Sequence, residues 1–170
     1  MVLVASPALK DPNFLGTVIY LLDHNDNGTL GFIVNRPLDL PLSELWEDVP
    51  ARLKHIRIAA FGGPVDRHKG LLLHGSLDIP DAHRMAEGVA IGGNIPALVE
   101  RYAAGPDPSG PRLFLGHSGW TTGQLEAELD AGSWLIRPGK LAWLLDPSPR
   151  PLLWKQLVEG RASLPDPSIN

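Results

Sequence analysis

Within nine residues, Gly116-His117-Ser118-Gly119-Trp120-Thr121-Thr122-Gly123-Gln124 gathers three hydroxyls, an imidazole and three glycines directly after the apolar Leu113-Phe114-Leu115. The pattern predicts a short strand, a glycine-rich turn over Gly116 to Gly119 and a helix starting at Gln124. A turn of that kind presents backbone N–H groups beside the positive end of a helix dipole, an arrangement that suits a small anion. Ser118 stands where a nucleophile elbow carries its serine, although Trp120 fills the place of the last glycine in Gly-x-Ser-x-Gly. A hydrolase reading therefore gives Ser118 the nucleophile's part, with His117 or His74 as base. The plainer reading is structural: Thr121 and Gln124 have capping-box spacing, worth about 1 kcal/mol to a helix start.

Two further segments carry chemistry of the same kind. Gly62-Gly63-Pro64 either lets a ligand approach the backbone closely or makes a bend between strands. Asn35-Arg36-Pro37 ends a predicted strand, and Arg36 either clamps a carboxylate or phosphate in bidentate fashion or fixes a turn. Asn35, Arg36, Gly62, Gly63, His74, Gly116, His117, Ser118 and Gly119 are thus the candidate ligand-binding set, with no catalytic residue assigned. The six histidines stand at 24, 55, 68, 74, 83 and 117. No pair has the i, i+4 spacing of a helical zinc site, so neither a metal nor another cofactor is expected. Arg52, Lys54 and Arg57, and again Arg67-His68-Lys69, form small basic runs, read as solvated faces because no recognition helix accompanies them. Glu126, Glu128 and Asp130 read as an exposed helix face.

The elements that must position these residues are short. Val2 to Ala5 predicts a buried first strand. Thr17 to Leu22 and Leu30 to Val34 predict a hairpin turning through His24-Asn25-Asp26-Asn27-Gly28, where Asn-Gly tolerates positive φ. Leu42 to Glu47 predicts a short helix. Arg57 to Phe61 and Gly70 to His74 predict neighbouring strands, and Arg84 to Ile91 a β pair turning at Glu87-Gly88. Asn94 caps a helix over Ile95 to Ala104, with Pro96 tolerated in its first turn. A helix over Gln124 to Leu129, a strand over Ser133 to Ile136 and helices at Leu141 to Leu145 and Leu152 to Val158 complete the chain. Trp134, Trp143 and Trp154 are expected to pack the C-terminal helices onto the sheet, with a self-association patch as the alternative. Both element types mix without strict alternation, which favours α+β.

Composition sets the outer limits. A chain of 170 residues with 44% hydrophobic and 20% charged residues buries one core. A formal net charge of −4 does not recruit polyanions, so direct DNA binding is not expected. The absence of cysteine excludes disulfides, thiolate metal sites and a cysteine nucleophile. No apolar run reaches the ~20 residues of a membrane span, and the default address is the cytoplasm. One domain over 1–162 is expected, with residues 163–170, which hold two prolines, as a frayed tail.

Taken in order, several segments resemble the YqgE/AlgH family of bacterial proteins: Leu9-Lys10-Asp11-Pro12-Asn13-Phe14 with Thr17-Val18, His24-Asn25 with Gly28 and Gly31, Asn35-Arg36-Pro37, Gly62-Gly63-Pro64-Val65, Leu73-His74, Gly116 to Trp120 with Gly123-Gln124-Leu125-Glu126, and Trp134-Leu135. The resemblance implies a single compact α+β domain with a bent mixed sheet partly closed into a barrel and surrounded by helices. It also carries the label of transcriptional regulator, given to some members through an association with alginate production. It brings no catalytic residues. In the family pattern alanine can replace Ser118 and tyrosine often replaces His117, which speaks against a serine nucleophile. Pro41 stands where a capping threonine is usual. A non-enzymatic regulatory or small-anion-binding protein is the expectation, with the Ser118 hydrolase as the alternative.

Overall fold

Val2–Ala5 (β1) is buried at every residue, whereas a half-buried strand would alternate. The alternation is present in what each face meets. Val2 and Val4 enter one apolar cluster with Val18, Tyr20, Phe32, Leu73 and Phe114. Leu3, Ile19 and Ile33 enter a second, and Leu72 and Leu113 a third. Both faces of the sheet are covered around β1, so this strand reads as an unbroken hydrophobic run.

In this computed structural model, which describes residues 1–85 and 88–160, the strands continue with Val18–Asn25 (β2), Gly28–Ile33 (β3), Ala59–Phe61 (β4), Val65–His74 (β5), His83–Arg84 (β6), Ala90–Ile91 (β7), Arg112–Trp120 (β8) and Trp134–Arg137 (β9). One sheet runs in the order β6-β7-β5-β8-β3-β2-β1-β9, and β4 pairs with β8. All pairings are antiparallel except β4 with β8. The two halves join where Thr29–Gly31 pairs with Ser118–Trp120, and the sheet curls there into half a barrel. The helices are Ile95–Arg101 (α1), Gln124–Asp130 (α2), Leu141–Leu145 (α3) and Leu153–Val158 (α4). Helices α3 and α4 bury Trp143, Leu144, Leu145, Leu153 and Leu157 against one face. The other face is shared by α2 on one half, and by α1 with the Leu42–Leu53 segment on the other. The expected α+β domain with its bent sheet is present.

Five local readings are corrected, one being that β4 and β5 are not neighbours, because β8 lies between them and pairs with both. The largest concerns Gly116 to Gly119, which is not a turn: β8 continues through it with a kink at Gly116, where φ is 71°. The hairpin turns on Asp26 and Asn27 alone, because Asn25 already pairs with Gly28. Only Gly28 there has positive φ, at 130°. Leu42 to Glu47 shrinks to a single 3₁₀ turn over Leu42–Glu44, and Pro41 supplies no side-chain cap. Strand β5 begins five residues before Gly70. Val65 pairs with His117 and Gly70 with Leu115, so a wide bulge with Asp66 at φ 49° lies between them. Asn94 caps α1 as expected, its Oδ1 accepting from the N–H of Ala97 at 2.9 Å. Glu87, predicted at a turn, and the tail 163–170 lie outside the described residues.

Candidate functional site

The predicted residues separate into three groups. The first is a chain crossing. The Gly62 N–H donates to the Leu115 carbonyl at 2.8 Å, and the Gly62 carbonyl accepts from Ile33 N–H at 2.9 Å and from the Ser118 hydroxyl at 3.1 Å. A Cβ on Gly62 would lie 2.3 Å from the Gly116 carbonyl oxygen, and one on Gly116 would lie 2.2 Å from that of Gly63. Backbone therefore fills the space that side chains would take, and these glycines let two segments touch. Ser118 is fully buried in this crossing, with its hydroxyl hydrogen committed to Gly62. Its neighbour His117 is half-buried and, on an extended strand, points to the opposite face.

The second group is Asn35 and Arg36, which turn back on the chain. Asn35 accepts from Val18 N–H at 2.8 Å and donates to the Gly16 carbonyl at 2.9 Å. Arg36 donates through Nη1 to the Asn13 carbonyl at 2.6 Å and through Nη2 to that of Leu15 at 2.9 Å. Partial burial draws its guanidinium pKa below the ordinary value. The fork thus holds the 13–16 loop. His74 stands apart. Leu73 pairs with Arg112, six residues before Ser118, which puts His74 at the opposite end of β8 from that serine. It is fully buried, and its Nδ1 accepts from Ser76 N–H at 3.2 Å. Its Nε2 must then carry the hydrogen, donated to the Gly92 carbonyl at 2.8 Å.

The third group reaches solvent. His117 and Gly119 open into a shallow cleft of about 450 Å³ that spans β8 and the tip of the β2–β3 hairpin paired with it, at Asn25, Asn27, Gly28 and Thr29. Thr121 and Gln124 close one end, and Asp23 and Val65 also border it. Local rules fix this geometry. A Cβ at Gly28 would meet the Trp120 carbonyl oxygen at 2.4 Å, so only glycine lets the tip approach β8 this closely. Thr122 Oγ1 donates to the Asp26 carbonyl at 2.7 Å and clips the tip to the start of α2. Half of the expected capping box forms: the Gln124 side chain accepts from Thr121 N–H at 3.1 Å, while Gly123, at φ 82°, is the cap residue. On the outer edge His24 Nδ1 lies 2.5 Å from Thr29 Oγ1, and its Nε2 lies 3.6 Å from Glu126 Oε1.

Sequence reading missed Thr29, Asn27 and Gln124 as cleft residues, and also Arg112. The latter is buried at the start of β8 and donates to the carbonyls of Trp143 at 3.0 Å, Leu144 at 3.3 Å and Val34 at 2.8 Å. Burial, reinforced by the positive charge of Arg150 and countered by Asp146, pulls its pKa down to about 10. It stays charged at neutral pH and serves the open carbonyl end of α3. Among the described residues no group of three His, Asp or Glu side chains could hold a metal ion, and no helix is long and apolar enough to cross a membrane.

The order of these segments, threaded through one curled sheet, is also that of a family model described as AlgH-like, which matches residues 2–162. This chain belongs to that family. The UPF0301 protein AlgH of Pseudomonas aeruginosa is 40% identical over 154 residues, covering 86% of this chain and 80% of the relative. A UPF0301 protein of Thiobacillus denitrificans is 37% identical over 177 residues, covering 96% and 92%. The solution structure of the P. aeruginosa AlgH protein superposes with a TM-score of 0.72 at 34% identity, covering 96% of this chain and 88% of the other. A crystal structure from Corynebacterium diphtheriae, at 20% identity and a TM-score of 0.66, covers 98% and 86% and shares the fold.

Proposed function

We propose that this chain is a non-enzymatic regulatory protein that binds a small polar ligand in the cleft between the β2–β3 hairpin tip and β8, with an anionic group of that ligand set against His117. One observation carries the reading: two of the candidate residues, His117 and Gly119, border the same cleft as Asn27 and Gln124. Few convergent polar groups on a shaped wall are the usual make-up of a small-molecule site. Within the lining, the imidazole is the one side chain that can carry positive charge and Asp23 the one carboxylate. A zwitterion fits that balance better than a bare anion. The regulatory half rests on the label carried by the family resemblance. Direct DNA contact is left out, since the net charge is −4.

Calorimetry or ligand-detected NMR against nucleotides, amino acids and small carboxylates is the test. A binder is expected that His117→Ala weakens at least fivefold without moving the melting temperature, because His117 is not a core residue. Wild-type affinity in His117→Ala, or silence across the panel, ends the proposal. The Ser118 hydrolase has less behind it, since the hydroxyl is spent on Gly62 and His74 is spent on Gly92 and Ser76. Esterase and phosphatase screens on wild type and Ser118→Ala are expected to give equal rates.

A further inference from the structure

A second cleft, of about 430 Å³, lies between α2 and the β9-β1-β2 edge of the sheet. Its origin is geometric. Helix α2 has seven residues and is about 10 Å long, too short to cover the strip of sheet beneath it. Leu125 and Leu129 form one wall, and Leu3, Leu21 and Ile136 form the floor. Cross-strand pairing places Leu3 opposite both Ile19 and Ile136, so the floor is continuous. Ile136 remains 45% exposed there, a large apolar side chain without a full cover. Four consecutive residues of β2, from Leu21 to His24, border the cleft. A regular strand offers every second residue to one face; the register shift between Leu21 and Asp23 loosens that alternation beside the opening, while the Leu22 side chain packs into the cluster on the opposite face.

The mouth differs from the floor. It is formed by Asp23, His24 and Glu126, with the imidazole Nε2 3.6 Å from the Glu126 carboxylate. Both carboxylates border the opening of the apolar floor; Glu126 lies against the imidazole, whereas Asp23 accepts from Asn25 Nδ2 at 3.1 Å. We infer that this cleft binds an amphiphilic amine, with its hydrocarbon chain along Leu21, Leu125, Leu129 and Ile136 and its ammonium group donating to Asp23 and Glu126. Charge complementarity selects the head group. An ammonium gains two acceptors, whereas a carboxylate head of the same chain meets two like charges, and that repulsion is the source of specificity. The cleft's volume falls in the range of small-molecule sites, and its apolar floor supplies the driving force while the mouth sets orientation. The site shares only Asp23 with the polar cleft and stands or falls separately from it.

The probes are octylamine and octanoate, titrated below their micelle concentrations into the intact chain and followed by amide and methyl NMR shifts. Saturable one-to-one binding of octylamine is expected, with shifts centred on Leu21, Leu125 and Leu129, and octanoate at least tenfold weaker. Glu126→Gln and Ile136→Asn are each expected to weaken octylamine at least threefold. Both positions are exposed, so both variants keep the fold, which unchanged spectra elsewhere verify. His117→Ala is expected to leave octylamine binding untouched, which separates this site from the polar cleft. Octanoate binding as tightly as octylamine, absence of saturation with octylamine, or wild-type affinity in Ile136→Asn each overturns the inference.

Discussion

A Cβ added to Gly63 would stand 2.3 Å from both the carbonyl carbon and oxygen of His117 and 2.4 Å from Ser118 Oγ, and Gly63 itself has φ 152°. Gly132 offers a control. It also has positive φ, at 76°, but a Cβ there meets nothing within 4 Å. Gly132→Ala should therefore cost only the left-handed penalty of about 1 kcal/mol. Gly63→Ala must in addition force two backbone segments apart, and a loss of about 3 kcal/mol or more is expected in urea titrations. Equal losses in the two variants would show that the crossing yields easily. Arg112 makes a related point about charge. Its planar fork reaches three carbonyls on two elements while its guanidinium carbon lies 4.9 Å from the Phe114 ring centroid. Lysine keeps the charge but has a compact head that cannot span those acceptors. Arg112→Lys is expected to lower stability by about 2 kcal/mol, read as a drop in urea midpoint at unchanged slope.

Between residue and fold, side chains that looked like ligand donors fasten loops. Asn35 and Arg36 close the 13–18 segment onto β3 through four hydrogen bonds to backbone groups. Removing the guanidinium leaves the Asn13 and Leu15 carbonyls to water. Arg36→Ala is expected to speed amide exchange in residues 13–18 at least tenfold while β1 and β8 keep their protection, a local opening rather than global loss. Most elements were legible where the rule is local: the hairpin signal in Asn-Asp-Asn-Gly, the Asn94 cap, and α3, whose bounds were read directly from the sequence. Strand β8 was not. Two glycines, a serine and a histidine have the composition of a turn. They stand in a strand because the Gly62–Gly63 segment after β4 and the β5 bulge press against them and leave room for little else. The candidate cleft was half legible for the same reason. His117 and Gly119 drew notice by type, whereas Asn27 and Thr29 read as hairpin chemistry, Gln124 as a cap, and Val65 as a residue after a bend. Only tertiary pairing of three distant segments makes them one lining.

At the scale of the whole molecule the two ends of the described chain are tied together. Strand β1 lies between β2 and β9, and Val2 pairs with Arg137. Trp154 of α4 donates its indole N–H to the Ala5 carbonyl at 2.8 Å and packs against two of the three apolar clusters. That contact spans 149 residues of sequence, so closing it before the rest of the sheet exists would cost much loop entropy for little return. It should form after the folding transition state. Trp154→Phe loses the indole hydrogen bond and costs about 1 kcal/mol. Trp154→Ala also loses the packing of a half-buried ring, and about 2 kcal/mol is expected. A contact absent from the transition state shows its loss in the unfolding rate. Trp154→Ala is thus expected to unfold about 30-fold faster while its refolding rate stays within a factor of two of wild type. Stopped-flow chevrons measure both limbs, and a refolding limb slowed tenfold or more would place the joining of the two ends early, at the nucleus of the half-barrel instead of at its closure.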